Sequence, residues 1–205
     1  MIDLKQYIKE SLLDDEEELG SNIINKIKSS IENFLKENYS PTCVSKCKIL
    51  DEPNEEGKYV VDCNGDLIVT NRGISALTNE YFVFGKVKRN FYCNGCRYLK
   101  SLEGAPKEVG KICSCSNCYS LTSLEGAPEK VGGSFKCNNC LLLTSLEGAP
   151  EEIKEDFECS HCRSLTSLKG APKKVDGNFD CSYCGKQFTK EDVLKASKVK
   201  GETTV

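Results

Sequence analysis

The chain has no tryptophan, one histidine (His161) and one methionine (Met1) among its 205 residues. A single histidine excludes a multi-histidine metal site and leaves any cysteine nucleophile with one candidate base. No apolar run approaches the roughly 18 residues that a membrane span needs. Asp3, Lys5, Lys9 and Glu10 stand where a signal peptide would need an apolar core. An excess of either charge is missing too: 28 Lys and Arg face 31 Asp and Glu, for a net charge of −3. That balance argues against a protein whose main task is to grip phosphate backbones. The expected setting is the cytoplasm, with no membrane and no nucleic-acid partner.

The small negative charge is concentrated. In residues 1–20, Lys5 and Lys9 face Asp3, Glu10 and the run Asp14-Asp15-Glu16-Glu17-Glu18, so the remainder is nearly neutral. Leu4, Tyr7, Ile8 and Leu12 recur at helical spacing behind a candidate cap, Asp3. Gly20 is expected to stop this acidic amphipathic leader. It reads either as a solvated helix end or as a docking peptide for a basic partner. A second helix is expected after a cap at Ser21 or Asn22. Ile23, Ile24, Ile27, Ile31, Phe34 and Leu35 make one apolar stripe along it, and Ser40-Pro41 ends it.

Cysteine is abundant, with 14 copies, and its placement is periodic. Cys93, Cys115, Cys137, Cys159 and Cys181 recur every 22 residues, and so do Cys96, Cys118, Cys140, Cys162 and Cys184. The unit reads Val-x-x-x-Phe-x-Cys-x-x-Cys-x-x-Leu-x-x-Leu-x-Gly-Ala-Pro. Its Phe position is filled by Phe91, Cys113, Phe135, Phe157 and Phe179. A unit this short cannot bury its own apolar residues, so successive units must stack. Phe-x-Cys alternates as a short strand with both side chains inward. Leu pairs such as Leu143 and Leu146 line the floor, and Gly-Ala-Pro turns the chain without a helix.

Further rungs are expected at both ends. Upstream, Leu67-Ile68-Val69 fits Phe-x-Cys; downstream, Val199 and Val205 match Val175 and Cys181. A helix at Lys190–Ala196 capped by Thr189 fills the longer last interval. Lys58–Cys63 with Asn64-Gly65 reads as a hairpin leading into the first rung.

The expectation is therefore an α+β chain. It has a leader (1–20), a helical and hairpin cap (21–63), a parallel-strand array (64–188) and a C-terminal cap helix with a last strand (189–205). About seven rungs follow the 22-residue period, with mostly loop on the convex side.

The repeat resembles the short leucine-rich-repeat family. Phe135 and Cys137 stand at its strand leucines, Cys140 stands at its N/C position, and Leu-Thr-Ser-Leu continues the pattern. The full consensus, Phe-x-Cys-x-x-Cys-x-x-Leu-Thr-Ser-Leu-Glu-Gly-Ala-Pro, resembles repeat proteins of bacteriophages and gut bacteria. Residues 7–19 resemble leader segments of phage proteins. The resemblance implies a solenoid that binds another protein in a phage or its host.

The cysteines admit three chemistries. As a core ladder, each behaves as a small buried hydrophobe. As zinc ligands, the Cys-x-x-Cys pairs Cys93/Cys96, Cys115/Cys118, Cys137/Cys140, Cys159/Cys162 and Cys181/Cys184 would hold successive rungs together. Disulfides are the third, disfavoured in a reducing compartment. Five pairs leave one unmatched, and Val69 and Val205 occupy the strand-cysteine position, so the buried ladder is preferred, with no cofactor. Cys181-Ser-Tyr-Cys184 mimics half a C₂H₂ finger, but no histidines follow. Cys43, Cys47 and Cys63 precede the array and read as buried thiols.

An enzyme is not expected. His161 lies at a variable position shared with Gly95, Asn117, Asn139 and Tyr183, and no Gly-rich phosphate loop appears. The candidate binding face is the outward side of the strands. Tyr92 and Ile112 are its expected exposed anchors, with Ser114 and Lys136 beside them and an acidic patch of Asp156, Glu158 and Asp180.

Overall fold

The computed structural model describes residues 17–205, with side chains from Ser21 onward. The helix expected over the opening residues lies outside that range. The first helix, α1 (Glu17–Asn38), runs through Gly20 without a break, so neither the stop at Gly20 nor the cap at Ser21 or Asn22 exists. A glycine costs a helix about 1 kcal/mol. Burial of Ile27, Ile31 and Leu35 further along the helix contributes roughly 1.5–3 kcal/mol each, which outweighs it. Ser40-Pro41 does end α1, and Pro41 opens a single-turn helix, α2 (Pro41–Val44).

The hairpin expected from Lys58–Cys63 through Asn64-Gly65 into the first rung does not form; that strand pairs with the segment before it. Strands β1 (Cys47–Pro53) and β2 (Tyr59–Cys63) are antiparallel. Their turn is built on Asn54, whose carbonyl accepts from Gly57 N–H at 2.9 Å and whose side chain accepts from Glu56 N–H at 3.0 Å. Asn64-Gly65 instead forms a corner between two sheets, because β2 pairs onward with a parallel strand.

The array is a β-solenoid with two parallel sheets. Seven strands form one: β3 (Leu67–Ile68), β5 (Phe91–Tyr92), β7 (Cys113–Ser114), β9 (Phe135–Lys136), β11 (Phe157–Glu158), β13 (Phe179–Asp180) and β15 (Thr203–Thr204). These are the seven expected rungs, in register: Phe157 pairs with Phe135 and Phe179. The second sheet was not expected. It carries the Val position on β4 (Phe82–Val87), β6 (Glu108–Val109), β8 (Lys130–Val131), β10 (Glu152–Ile153), β12 (Lys174–Val175) and β14 (Lys198–Val199), and it begins with β1 and β2. A third set of bonds joins the rungs on the loop side, where Leu102, Leu124 and Leu146 N–H donate to Glu125, Glu147 and Lys169 carbonyls at 2.7–3.0 Å. Each turn is thus fastened to the next on three sides.

The core is a set of columns. Val109, Cys113, Cys115, Cys118, Leu121 and Leu124 all point inward from one turn and are buried. The rings of Phe135 and Phe157 stack at 5.7 Å, and those of Phe157 and Phe179 lie 5.0 Å apart.

The ends are covered as the sequence leads one to expect. The α1 stripe packs on the first rungs, where Phe34 meets Phe82 and Tyr39 meets Phe84 edge-on. Tyr39 also donates to the Leu77 carbonyl at 2.6 Å and bridges Val69 on the sheet. At the other end, α3 (Lys190–Ala196) starts at Thr189, in a reciprocal capping box with Asp192. Phe188 and Val193 seal the last turns. Val69 is buried like the strand cysteines, but Val205, at the outer edge of the last strand, is exposed. No described helix is long and apolar enough to cross a membrane.

Candidate functional site

The outward strand face is occupied by its own hydrogen bonds. Except at Ile112, the residue before the Phe position caps the next rung: Asp66 accepts from Asn90 N–H at 3.1 Å, Asn90 from Ile112 N–H at 3.0 Å, and Asp156 from Asn178 N–H at 2.8 Å. Asp156 is therefore a ladder residue. Ser114, expected to be exposed, is buried and donates to the Asn94 side chain at 2.6 Å. Lys136 Nζ meets Glu158 Oε1 at 2.8 Å, and Asn138 donates to the same carboxylate at 2.8 Å, which neutralises the centre of the expected acidic patch. Asp180 accepts from both the N–H and hydroxyl of Ser182. Tyr92 and Ile112 are half-buried, not exposed. The face is rigid and polar, with few groups left over for a ligand.

The cysteines form an internal thiol ladder. Cys118, Cys140, Cys162 and Cys184 each donate to the carbonyl of the first cysteine one rung earlier (Cys93, Cys115, Cys137 and Cys159) at 3.1–3.3 Å. Burial pushes the thiols of Cys113, Cys137 and Cys159 far above the ordinary range. The hydrogen bond to Cys93 and then burial hold Cys118 at about 12. Protonated thiols suit core residues, since zinc binds thiolates. All 14 cysteines are free. Among the described residues, no three His, Cys, Asp or Glu side chains come together in a group that could hold a metal ion.

Apart from Leu194 and Val205 at the C-terminal end, the large exposed apolar side chains of the described residues gather on the corner where the chain leaves the seven-stranded sheet. The corner has a strict backbone. The second residue inside each Cys-x-x-Cys has a positive φ: 72° at Gly95, 61° at Asn117, 59° at Asn139, 60° at His161 and 55° at Tyr183. Glycine and asparagine tolerate this left-handed region, whereas a bulky residue is strained there. The turn aims the second cysteine back into the core while the left-handed residue's own N–H continues the ladder, as when His161 donates to Ser182 O at 2.8 Å. His161 is exposed and stacks on Tyr183 at 4.7 Å.

Just past this turn, Tyr98, Tyr119 and Leu142 stand on successive rungs, 64%, 41% and 51% exposed, and Tyr183 reaches 77%. Arg72, Arg97, Tyr98 and Tyr119 line an open groove of about 480 Å³ here, and Arg72 donates to the Asn94 carbonyl.

No family model, curated protein or solved structure matches this chain. The corner thus stands on its chemistry alone: large apolar side chains in water, flanked by guanidinium groups. Such residues dominate the centres of protein interfaces. A signal for it was present in the sequence. Tyr98, Tyr119 and Leu142 occupy spacer positions between the second Cys and the first Leu, where a buried role is already excluded by the repeat.

Proposed function

We propose that this chain is a non-enzymatic protein-binding module that meets its partner through the exit corner, not through the strand face first expected to do so. The single observation that carries this reading is the row Tyr98, Tyr119 and Leu142, three large exposed side chains on consecutive rungs. A rigid array needs no apolar residue at those positions for stacking, because its core columns are filled elsewhere. Leu142 in the row favours a protein over single-stranded nucleic acid, which would use aromatic rings throughout. The complementary partner carries apolar side chains flanked by carboxylates that pair with Arg72 and Arg97. The acidic leader is a second docking element in this reading, and the phage resemblance assigns the partner to a phage or its host.

The test is affinity capture from the cells in which the protein is made, comparing the parent chain with Tyr98→Ser/Leu142→Ser and with a chain lacking residues 1–20. Loss of a partner with the double variant, at unchanged melting temperature, supports the corner. Equal capture by both would sink it, and equal capture without residues 1–20 would remove the leader from the account.

A further inference from the structure

Outside the repeat, Cys47 and Cys63 form a pair unlike the others. They are direct partners across the antiparallel β1–β2 hairpin. Asn64 N–H donates to Lys46 O at 2.9 Å, which brackets the pair and marks it as a non-hydrogen-bonded site. At such a site the Cα atoms approach to about 4.5 Å, within the roughly 4.4–6.8 Å span that a disulfide requires. Both side chains lie on the same face. Cys47 Sγ approaches the Cys43 carbonyl at 3.5 Å and Cys63 Sγ approaches the same oxygen at 3.8 Å. The shared acceptor places both sulfurs around one carbonyl oxygen.

Access comes through one member of the pair. Cys47 is half-buried and Cys63 is buried, and Cys184 is the one array cysteine as open as Cys47. Cys43 contributes its carbonyl from α2, but it is not opposite either partner in the strand register.

We infer that Cys47 and Cys63 are a site of reversible thiol oxidation, closing to a disulfide when a small peroxide reaches the hairpin. One thiol attacks hydrogen peroxide, becomes a sulfenic acid and releases one water. The other thiol then attacks that sulfur, forms the S–S bond and expels the oxygen as a second water. Two thiols are oxidised and one peroxide is reduced to two waters. A thiol reductant reverses the step by exchange. The bond ties β1 to the end of β2, where Cys63 O accepts from Lys88 N–H at 2.9 Å and the hairpin joins the array.

The full chain is treated with hydrogen peroxide under native conditions, its remaining thiols are alkylated, and peptides are mapped by mass. The expected result is one linked species joining the peptides of Cys47 and Cys63, lighter by two hydrogens and restored by reductant, while the array cysteines alkylate as free thiols. Cys47→Ser, a conservative change at a half-buried site, should abolish that species and leave Cys63 alkylated. Alkylation of both cysteines in the treated parent chain overturns the inference. So does a link from Cys43 to either one, or links scattered through the array.

Discussion

The thiol of Cys140 donates to the carbonyl of Cys115, one rung earlier, at 3.3 Å, and the same bond recurs from Cys118 to Cys93 and from Cys162 to Cys137. A side chain that turns inward at a strand's end leaves a backbone carbonyl near its tip. A small donor placed there satisfies a buried acceptor that water cannot reach. Cysteine supplies that donor and an apolar sulfur together, so one residue both fills the column and ties it to its neighbour.

Replacing Cys140 with alanine removes the donor and leaves the Cys115 carbonyl unmet. The expected loss is about 1–3 kcal/mol of unfolding free energy, read as a lower urea midpoint at unchanged slope. Serine at the same position keeps a donor and should cost less than alanine if the hydrogen bond dominates.

Gly148 has a φ of 89°, and a Cβ there would press on the backbone of Glu125 and Leu124 in the preceding turn. Gly148→Ala is therefore expected to cost more than the roughly 1 kcal/mol of an ordinary glycine-to-alanine mismatch. Thermal melting checks it, and a neutral or stabilising result would mean that the Gly-Ala-Pro turns are loosely held.

Tyr183 holds the left-handed position at φ 55°, where asparagine stands at Asn117 and Asn139. Tyr183→Asn relieves strain of about 1–2 kcal/mol and loses one ring contact with His161 worth about 0.5–1 kcal/mol. A modest gain in melting temperature is expected, together with weaker partner binding if the exposed ring belongs to the interface. A gain in both would assign the tyrosine no role at the corner.

Much of this architecture is legible before any coordinates. Seven strands follow from Phe-x-Cys because each apolar position repeats in a fixed place, and a stack requires those places to face one another. The second sheet is not legible in the same way: Val131 is flanked by Lys130 and Gly132, and a single apolar residue carries no alternation. The hairpin turn was misplaced because Asn64-Gly65 is the stronger dipeptide, yet Asn54 anchors the turn through its side chain. On the candidate surface, Asp156 and Ser114 look like free polar groups in the sequence. Their ladder roles depend on the next rung's N–H and on Asn94, which only stacking brings near.

The raised thiols predict alkaline instability. A cysteine whose folded pKa lies above its unfolded value stabilises fully below the unfolded value, and that contribution falls as pH rises beyond it. The unfolded value is about 8.5, and each buried thiol then costs about 1.4 kcal/mol per pH unit. Burial raises Cys113, Cys137 and Cys159, and hydrogen bonding with burial raises Cys140 and Cys162. Together these five would remove about 7 kcal/mol per unit, comparable to a whole domain's stability. Circular dichroism should show cooperative unfolding about one to two units above pH 8.5, reversed on return to neutrality in the presence of reductant.

The central claim is that the paired cysteines of the array are protonated core residues that hold the rungs together without a metal. Native mass spectrometry of the chain, purified from zinc-supplemented cells with reductant present, tests it most directly. The account predicts the mass of the bare polypeptide with all 14 cysteines as thiols and a melting temperature unmoved by a zinc chelator. Stoichiometric zinc on the folded chain, with unfolding when the chelator removes it, would contradict it.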